Sequence, residues 1–335
     1  MQVYGIDLSM DKFNVNFIDQ KGMERSKEVK NKLSAISRFI DCLPSESLLV
    51  AEYTGVYSDL LVSLCNQQNI PISLVPGYTI KHSLGLIKGK SDPLDSRRIR
   101  EYGERFCDKL ELATYDNESM AELKTFYTLR RQLVNARKSL RAGEHSRSQA
   151  PVQSISVHTH VNNVLLSIDL EIEAVDKEIE QLIKSNQETK HNYELAISVM
   201  GIGPVIATDL LIKTGNFQKI NTAKRAASYA GVCPFPNASG KAVGKSKTSH
   251  LADKKLKSLL YMGAKTVLKH NKEYKLYYQR KQLEGKPHYL IMNNISNKIL
   301  RTVYSVVNSK TPYRKDYICT DPREKNSNSS PKRVA

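Results

Sequence analysis

The 335-residue sequence contains no apolar run approaching the ~18–20 residues that span a bilayer. Its first residues, MQVYGIDLSMDKF, lack the basic stretch and following apolar stretch of a secretory leader. Membrane insertion and export are therefore not expected, and the chain reads as a soluble cytoplasmic protein. Cysteine is scarce. Cys42, Cys65, Cys107, Cys233 and Cys319 are an odd set with no CxxC pair and no short regular spacing, which argues against a disulfide framework and a structural zinc site. Acidic residues thin out along the chain. Met1 to Leu110 carries 15 basic and 14 acidic residues, Glu111 to Lys190 carries 10 and 12, and His191 to Ala335 carries 26 and only 8. The formal net charge of +17 thus belongs to the last part of the chain. A near-neutral first half joined to a strongly basic second half points to a polyanionic partner, nucleic acid above all. With 40% hydrophobic and 25% charged residues the composition is that of a folded protein, long enough for about two domains.

The first segment reads as strands followed by alternating helices and strands. Val3–Ser9 is an apolar strand. Lys12–Asp19 alternates, with Phe13, Val15 and Phe17 on one face and Asn14 and Asn16 on the other. A third strand over Arg25–Lys30, a helix over Leu33–Cys42, a strand over Leu48–Tyr53, a helix over Tyr57–Gln68 and a strand over Ile70–Val75 complete a mixed sheet flanked by helices. This order fits a ribonuclease-H-like domain, although other α/β folds share it. The middle is helical. Val161, Leu165, Ile168, Ile172, Val175, Ile179 and Leu182 make an uninterrupted seam of alternating four- and three-residue steps, and Phe126, Leu129, Leu133, Ala136 and Leu140 make a second stripe. Met120–Ala150 has seven basic and two acidic residues, and Val161–Lys190 has three and seven, so the two helices are complementary in charge. They predict an antiparallel coiled-coil hairpin bending through Ala150–His160. It is either a dimerisation surface or the core of a monomer.

Four carboxylates stand out. Asp7 lies in the apolar first strand, in Gly5-Ile6-Asp7. Glu52 ends the strand Leu48-Leu49-Val50-Ala51-Glu52. Asp92 and Asp95 lie three apart in Lys90-Ser91-Asp92-Pro93-Leu94-Asp95, on one face of a helix. Converging carboxylates suit a pair of divalent ions that activate the attacking oxygen and stabilise the leaving one, with Mg²⁺ or Mn²⁺ fitting an all-oxygen set. No zinc-like histidine spacing competes. A helix start with Asp92 as the N-cap, Pro93 at N1 and Asp95 at N3 explains the last pair equally well without a metal.

The basic half opens with Gly201-Ile202-Gly203-Pro204 before a helix from Val205 to about Thr214. This resembles a helix-hairpin-helix element whose amides meet a DNA phosphate, and it equally suits a tight turn with no ligand. A short helix around Thr222–Ala230, a loop over Gly231–Ser246, a basic helix from about Ser249 to Lys269 and a helix over about His288–Val307 follow. The polar tail from Asn308 is expected to be disordered over Glu324–Ala335.

Taken in order, Gly5-Ile6-Asp7, Ala51-Glu52-Tyr53-Thr54-Gly55 and Lys90-Ser91-Asp92-Pro93-Leu94-Asp95 resemble the DEDD tetrad of the insertion-sequence one-ten transposases, relatives of the pilin-gene invertase. Gly201-Ile202-Gly203-Pro204, Ala230-Gly231-Val232-Cys233-Pro234, Ala238-Ser239-Gly240-Lys241 and Leu259-Leu260-Tyr261-Met262-Gly263-Ala264 extend the resemblance across roughly residues 1–308. The resemblance implies a RuvC-like DEDD domain over 1–112, a coiled-coil hairpin over 113–190, a basic C-terminal helical domain over 191–308 and a polar tail over 309–335. It implies metal-assisted DNA cleavage and rejoining, with Asp7, Glu52, Asp92 and Asp95 as metal ligands, Mg²⁺ or Mn²⁺ as a pair of ions, and Ser239 as nucleophile. The implied partners are donor and target double-stranded DNA, a structured non-coding bridge RNA, and further copies of the chain in a dimer or tetramer.

Candidate nucleic-acid contacts are Gly201, Gly203, Gly240, Lys241, Lys245, Lys247, Lys254, Lys255 and Lys257. Ser91 replaces the usual Thr of the family, and lysines over Thr248–Lys257 replace the Arg and Gly-Asn of many members. A metal-dependent junction-resolving nuclease that uses water, with Ser239 a mere turn residue, is the competing reading.

The charge partition has a measurable consequence. Binding to nucleic acid is expected to fall steeply with salt as phosphate neutralisation releases counterions, and a chain ending near His191 is expected to lose most of its affinity. Equal affinity of the shortened and full chains in a titration at several salt concentrations would refute the partition.

Overall fold

The computed structural model describes residues 1–83, 85, 91–115, 118–152, 154–239, 242–249 and 251–314, with the backbone alone at 236–239 and 242–247. The chain divides into two compact units, Met1–Asp116 and Asn117–Ala335. Among the described residues no helix is long and apolar enough to cross a membrane. Cys42, Cys65, Cys107 and Cys233 are free.

The first unit is a mixed five-stranded sheet between helices. Strands β1 (Gln2–Leu8), β2 (Lys12–Ile18) and β3 (Glu24–Lys30) form an antiparallel meander. Helix α1 (Leu33–Asp41) leads to β4 (Ser47–Glu52), which lies parallel to β1. A 3-10 turn (Gly55–Ser58) and α2 (Asp59–Gln67) lead to β5 (Ile72–Val75), parallel to β4. Helices α3 (Gly77–Ser83) and α4 (Asp92–Arg105) complete the unit. The strand order is β3-β2-β1-β4-β5.

Because side chains alternate across a strand, the two faces separate cleanly. Tyr4, Ile6, Leu8, Phe13, Val15, Leu49 and Ala51 pack with Ile36, Phe39 and Ile40 of α1 and Leu61 and Cys65 of α2. Val3, Leu48, Val50 and Val75 pack with Ile80 of α3 and with Ile99 and Tyr102 of α4 on the other face. The polar half of β2 is not solvated as its alternation suggests. Asn16 is 1% exposed, and its side chain accepts a 2.7 Å bond from Arg100 Nε and donates to Glu24 and Ser26. Helix α4 covers that face and supplies the partner that makes a buried amide tolerable.

The second unit begins with the hairpin of α5 (Glu118–Arg147) and α6 (Ile155–Ser185). Its antiparallel register is written in ion pairs whose partners move in opposite directions along the two helices: Arg130 with Asp176, Arg137 with Asp169 at 2.6 Å, and Glu144 with His158. Helix α6 starts inside the stretch read as the bend, because Ser154 caps it through the Val157 amide. Only the base of the hairpin closes a core. Met120, Leu123, Val175, Ile179 and Ile183 are buried together, whereas Leu129, Leu166 and Leu170 are exposed.

Helices α7 (Gln187–Ser198), α8 (Pro204–Thr214), α9 (Ala223–Tyr229), α10 (Lys254–His270), α11 (Lys272–Leu283) and α12 (His288–Ser309) form the rest. Their main core joins Leu210 and Leu211 of α8, Leu260 and Ala264 of α10, and Ile295, Leu300 and Val303 of α12. Tyr304 is buried in it and donates to the Ile220 carbonyl at 2.6 Å.

Two expectations fail here. The stretch read as a loop over Gly231–Ser246 contains a hairpin of β6 (Phe235–Ser239) and β7 (Ala242–Lys247). It is short, polar and without an alternating apolar face, so it carries no strand signature. Helix α11 went unread for a similar reason: it has no buried residue and hence no apolar stripe. The expected disorder of the tail over Glu324–Ala335 lies outside the described residues.

Asp169 is held below the usual carboxylate range by its hydrogen bond from Arg137, so its pairing strengthens the fold above that range and is lost as pH falls through it. Packing matters more. Ile179 is 6% exposed and Leu170 is 67% exposed. Ile179→Asp is expected to destabilise the second unit by more than about 3 kcal/mol. Leu170→Asp should stay within about 0.5 kcal/mol and reveal, by sedimentation, any self-association through the hairpin. Chemical denaturation of the two variants checks the contrast.

Candidate active site

Asp7 stands near the end of β1 and Glu52 at the end of β4. The parallel register pairs Gly5 with Val50 and Ile6 with Ala51, so Asp7 and Glu52 come next, side by side. By alternation Asp7 shares a face with Val3 and Gly5, and Glu52 with Leu48 and Val50. That is the face covered by α4.

The direction of α4 follows from two glycines. A Cβ on Gly5 would overlap the Ser96 carbonyl and the Arg100 amide, and a Cβ on Gly103 would lie 2.7 Å from Val50 Cγ2 and 2.8 Å from Val3 Cγ1. Ser96 therefore lies over Gly5 and Gly103 over Val3, so α4 runs antiparallel to β1. Its first turn, with Asp92 and Asp95, is at the end of the sheet where Asp7 and Glu52 stand. All four carboxylates thus share one face and one end of the first unit.

Their surroundings differ. Asp7, Glu52 and Asp95 are partly buried and Asp92 is exposed. Glu52 lies against the backbone of Gly77, where any side chain would collide with its Oε1. Asp95 pairs with Arg98 at 2.7 Å. Lys12 is close enough to Asp92 for the carboxylate to support its charge, after its direct partner Glu28. Thr54 Oγ1, two residues beyond Glu52, is buried with no hydrogen-bond partner among the described residues.

The helix start read at Asp92 is shifted by one residue, with Asp92 and Asp95 both in the first turn, where the helix dipole favours them. The N-cap of α4 is Ser91, which makes no side-chain capping bond, and Asp92 begins the helix itself. Sequence proximity put the cap one residue late.

A set of four carboxylates, with no sulfur or imidazole, suits a hard divalent ion. Among the described residues no group of three or more His, Cys, Asp or Glu side chains is arranged to hold an ion by itself. An ion of the Mg²⁺ type does not require such a cage, since it commonly takes one or two carboxylates and completes its shell with water and substrate phosphate. The residues present fit that mode.

In the second unit Ser239 ends β6, its backbone paired with Ala242 across the hairpin turn. Lys245 and Lys247 lie on β7, and Gly240 and Lys241 lie outside the described residues. Lys254 and Lys255 are exposed at the start of α10, and Lys257 is partly buried with Nζ 3.5 Å from Thr248 Oγ1. Gly201 has a packing role of its own. It holds φ of +89°, and a Cβ there would crowd Val267 and the Gly263 carbonyl of α10. Gly203, the N-cap of α8, has open space around it.

One cluster escaped the sequence reading. Lys213 of α8 lies 2.9 Å from Asp209 and 2.9 Å from Asp253, the residue that caps α10 through the Lys255 and Leu256 amides. Burial raises the Asp209 carboxyl despite Lys213. Burial also opposes the charge on Asp253, but the Leu256 amide and Lys213 outweigh it and hold that carboxyl low. Burial, followed by the charges of Arg131 and Lys213, lowers Lys255. An Asp and a Lys four apart in the otherwise apolar α8 were the signal available in the sequence.

With this geometry in hand, comparison with known proteins is informative. A family model described as "Transposase IS116/IS110/IS902 family" matches residues 193–279, and a DEDD transposase model of the same group matches residues 4–143. The chain belongs to the IS116/IS110/IS902 transposase family. It is an insertion-sequence transposase of the DEDD type. The pilin gene-inverting protein of Moraxella bovis is 27% identical over 322 residues, covering 93% of this transposase and 97% of its own length. The IS900 uncharacterized 42 kDa protein of Mycobacterium paratuberculosis is 25% identical over 181 residues, 53% of this chain and 44% of its own. Among solved structures, a Thermus thermophilus RuvC structure aligns with 34% of this chain and all of its own at 13% identity, with a TM-score of 0.25.

The transposase depends on Gly5 for the approach of α4 to β1. Gly5→Ala is expected to push the helix off the sheet at a cost of about 1–3 kcal/mol, with a lower melting temperature and loss of DNA cleavage together. Unchanged melting and cleavage would refute the role given to this contact.

Proposed function

We propose that this transposase cuts and rejoins DNA, with divalent ions held at Asp7, Glu52, Asp92 and Asp95 and the Ser239 hydroxyl as the attacking group. The observation that carries the reading is the convergence of the four carboxylates on one face and one end of the sheet. The strand order β3-β2-β1-β4-β5, with β2 alone reversed, supports a ribonuclease-H-like sheet under that site. Bound Mg²⁺ or Mn²⁺, one ion or two, would supply Lewis acidity at the scissile phosphate and lower the cost of ionising the attacking oxygen.

The chain's own residues do the rest. A serine hydroxyl is a weak nucleophile near neutral pH and needs its proton removed. Attack of Ser239 Oγ on phosphorus would form a phosphoserine ester, break one strand and release a terminal hydroxyl that takes up a proton. A hydroxyl of a second DNA would then attack the ester, restore the serine and seal the new strand, with no net loss of phosphodiester bonds. Lys254 and Lys255 sit at the helix end where the backbone dipole is already positive, an arrangement that an anion stabilises. They favour the basic half as the DNA-binding part. Donor and target DNA are the partners on this reading, with a non-coding bridge RNA as guide and a dimer or tetramer as the working form.

Trapping the reaction with denaturant tests it. A protein–DNA adduct that maps to Ser239 and disappears in Ser239→Ala is expected, and Asp7→Ala or Glu52→Ala should abolish cleavage while leaving DNA binding intact. Cleavage without an adduct would assign the chain instead to the water-using nucleases. Full cleavage by the carboxylate variants in excess chelator would remove the metal site.

A further inference from the structure

A cavity of about 680 Å³ lies between α11 and the later turns of α12, with the stretch 311–314 along its edge. Three cations line it: Lys298 and Arg301, one turn apart on α12, and Arg314. Glu273 is the carboxylate among its lining residues, and Tyr274 and Tyr277 form part of the wall. Lys298 Nζ is 4.7 Å from the centre of the Tyr277 ring, which holds the ammonium by its π face. Among the described residues none of the three cations has an ion-pair partner, although ion pairs are frequent elsewhere in this chain. Three cations against the one carboxylate leave the concavity net positive and draw an anion into it.

The shape selects the kind of anion. A duplex presents phosphates on a convex ridge with its bases turned inward, and would leave the tyrosine walls unused. An unpaired nucleotide offers phosphate oxygens to the cations and an apolar base to the tyrosine-lined wall beside them, the two kinds of contact by which grooves hold single strands. Tyr274 and Tyr277 lie within the stretch matched by one family model, and α12 and residues 311–314 lie beyond both.

We infer that the groove between α11 and α12 binds an unpaired DNA nucleotide, holding a displaced strand through Lys298, Arg301 and Arg314. The inference rests on the reading of the second unit as the DNA-binding part.

The test uses the full chain and fluorescence anisotropy with an oligothymidylate of about 12 nucleotides, a duplex of equal length and an oligouridylate. Lys298→Gln/Arg301→Gln is expected to weaken oligothymidylate binding about ten-fold and to reduce its log–log salt slope by about 1.4, one phosphate contact per residue. Duplex binding should change less than about two-fold, and Lys298→Arg/Arg301→Lys should retain single-strand binding. Unchanged oligothymidylate binding overturns the inference, as does an equal loss on the duplex. A tighter hold on oligouridylate that the Gln variant loses would overturn the assignment to DNA. If the native chain binds duplex but no single strand, this inference alone fails. If it binds neither, the reading of the basic half fails with it.

Discussion

The candidate site depends on how closely one helix lies on one strand. Helix α4 rests on β1 at Gly5, where the missing side chain leaves room for the Ser96 carbonyl and Arg100 amide, and on Val3 and Val50 through Gly103. Two glycines, one on the strand and one on the helix, thus fix both the distance and the direction of α4. Arg100 reinforces the contact from within, buried at 6% exposure and bonded to Asn16 and Glu104. Removing the Arg100 guanidinium would leave the buried Asn16 side-chain carbonyl without its donor, at a cost of about 1–3 kcal/mol. The carboxylates are then placed by inheritance. Asp7 and Glu52 follow from the sheet register, and Asp92 and Asp95 from the first turn of a helix that cannot slide.

In the second unit the same logic applies to a different contact. The ion pairs along the α5–α6 hairpin are half-exposed, and pairs still reached by solvent contribute about 0–1 kcal/mol each. They set register more than stability. Lys213 is different, because it is shielded between two carboxylates, of which Asp209 is 3% exposed. Its bridge to Asp253 ties α8 to the cap of α10, and the Asp253 amide ties that cap to the Tyr229 carbonyl at the end of α9. The start of α10, with Lys254 and Lys255, is therefore tied to two other helices, α8 and α9. Lysines at the positive end of a helix dipole would favour fraying of that turn, and the capped, bridged Asp253 opposes it.

Much of this was legible in the sequence, and the failures have physical causes. Alternation in Lys12–Asp19 and the seam from Val161 to Leu182 announce elements that bury one face, and both are present. The carboxylates were legible because an acid inside or at the end of an apolar strand is costly and invites explanation. Gly5 was quoted only as part of a motif; its importance comes from a helix about ninety residues away, and no local pattern encodes that approach. Asn16 looked like a solvated position until α4 covered it. The β6–β7 hairpin and α11 were missed because neither buries a periodic apolar face. The cap at Asp92 was misplaced by one residue, within the ordinary uncertainty of helix ends.

The division of charge along the chain follows from what the two units hold. Four converging carboxylates repel a phosphate, so the first unit alone is a poor partner for DNA, and its near-zero net charge offers no compensating attraction. On the proposed function the attraction would come from the basic residues after His191. At physiological ionic strength such fields decay over about 8 Å, so only a charge close to a carboxylate neutralises it. Compensation at the proposed site would therefore be local, and divalent ions held by the carboxylates would supply it in the least space. On that reading the two parts are complementary: the acidic cluster would need metal to tolerate a phosphate, and the basic half would hold the substrate.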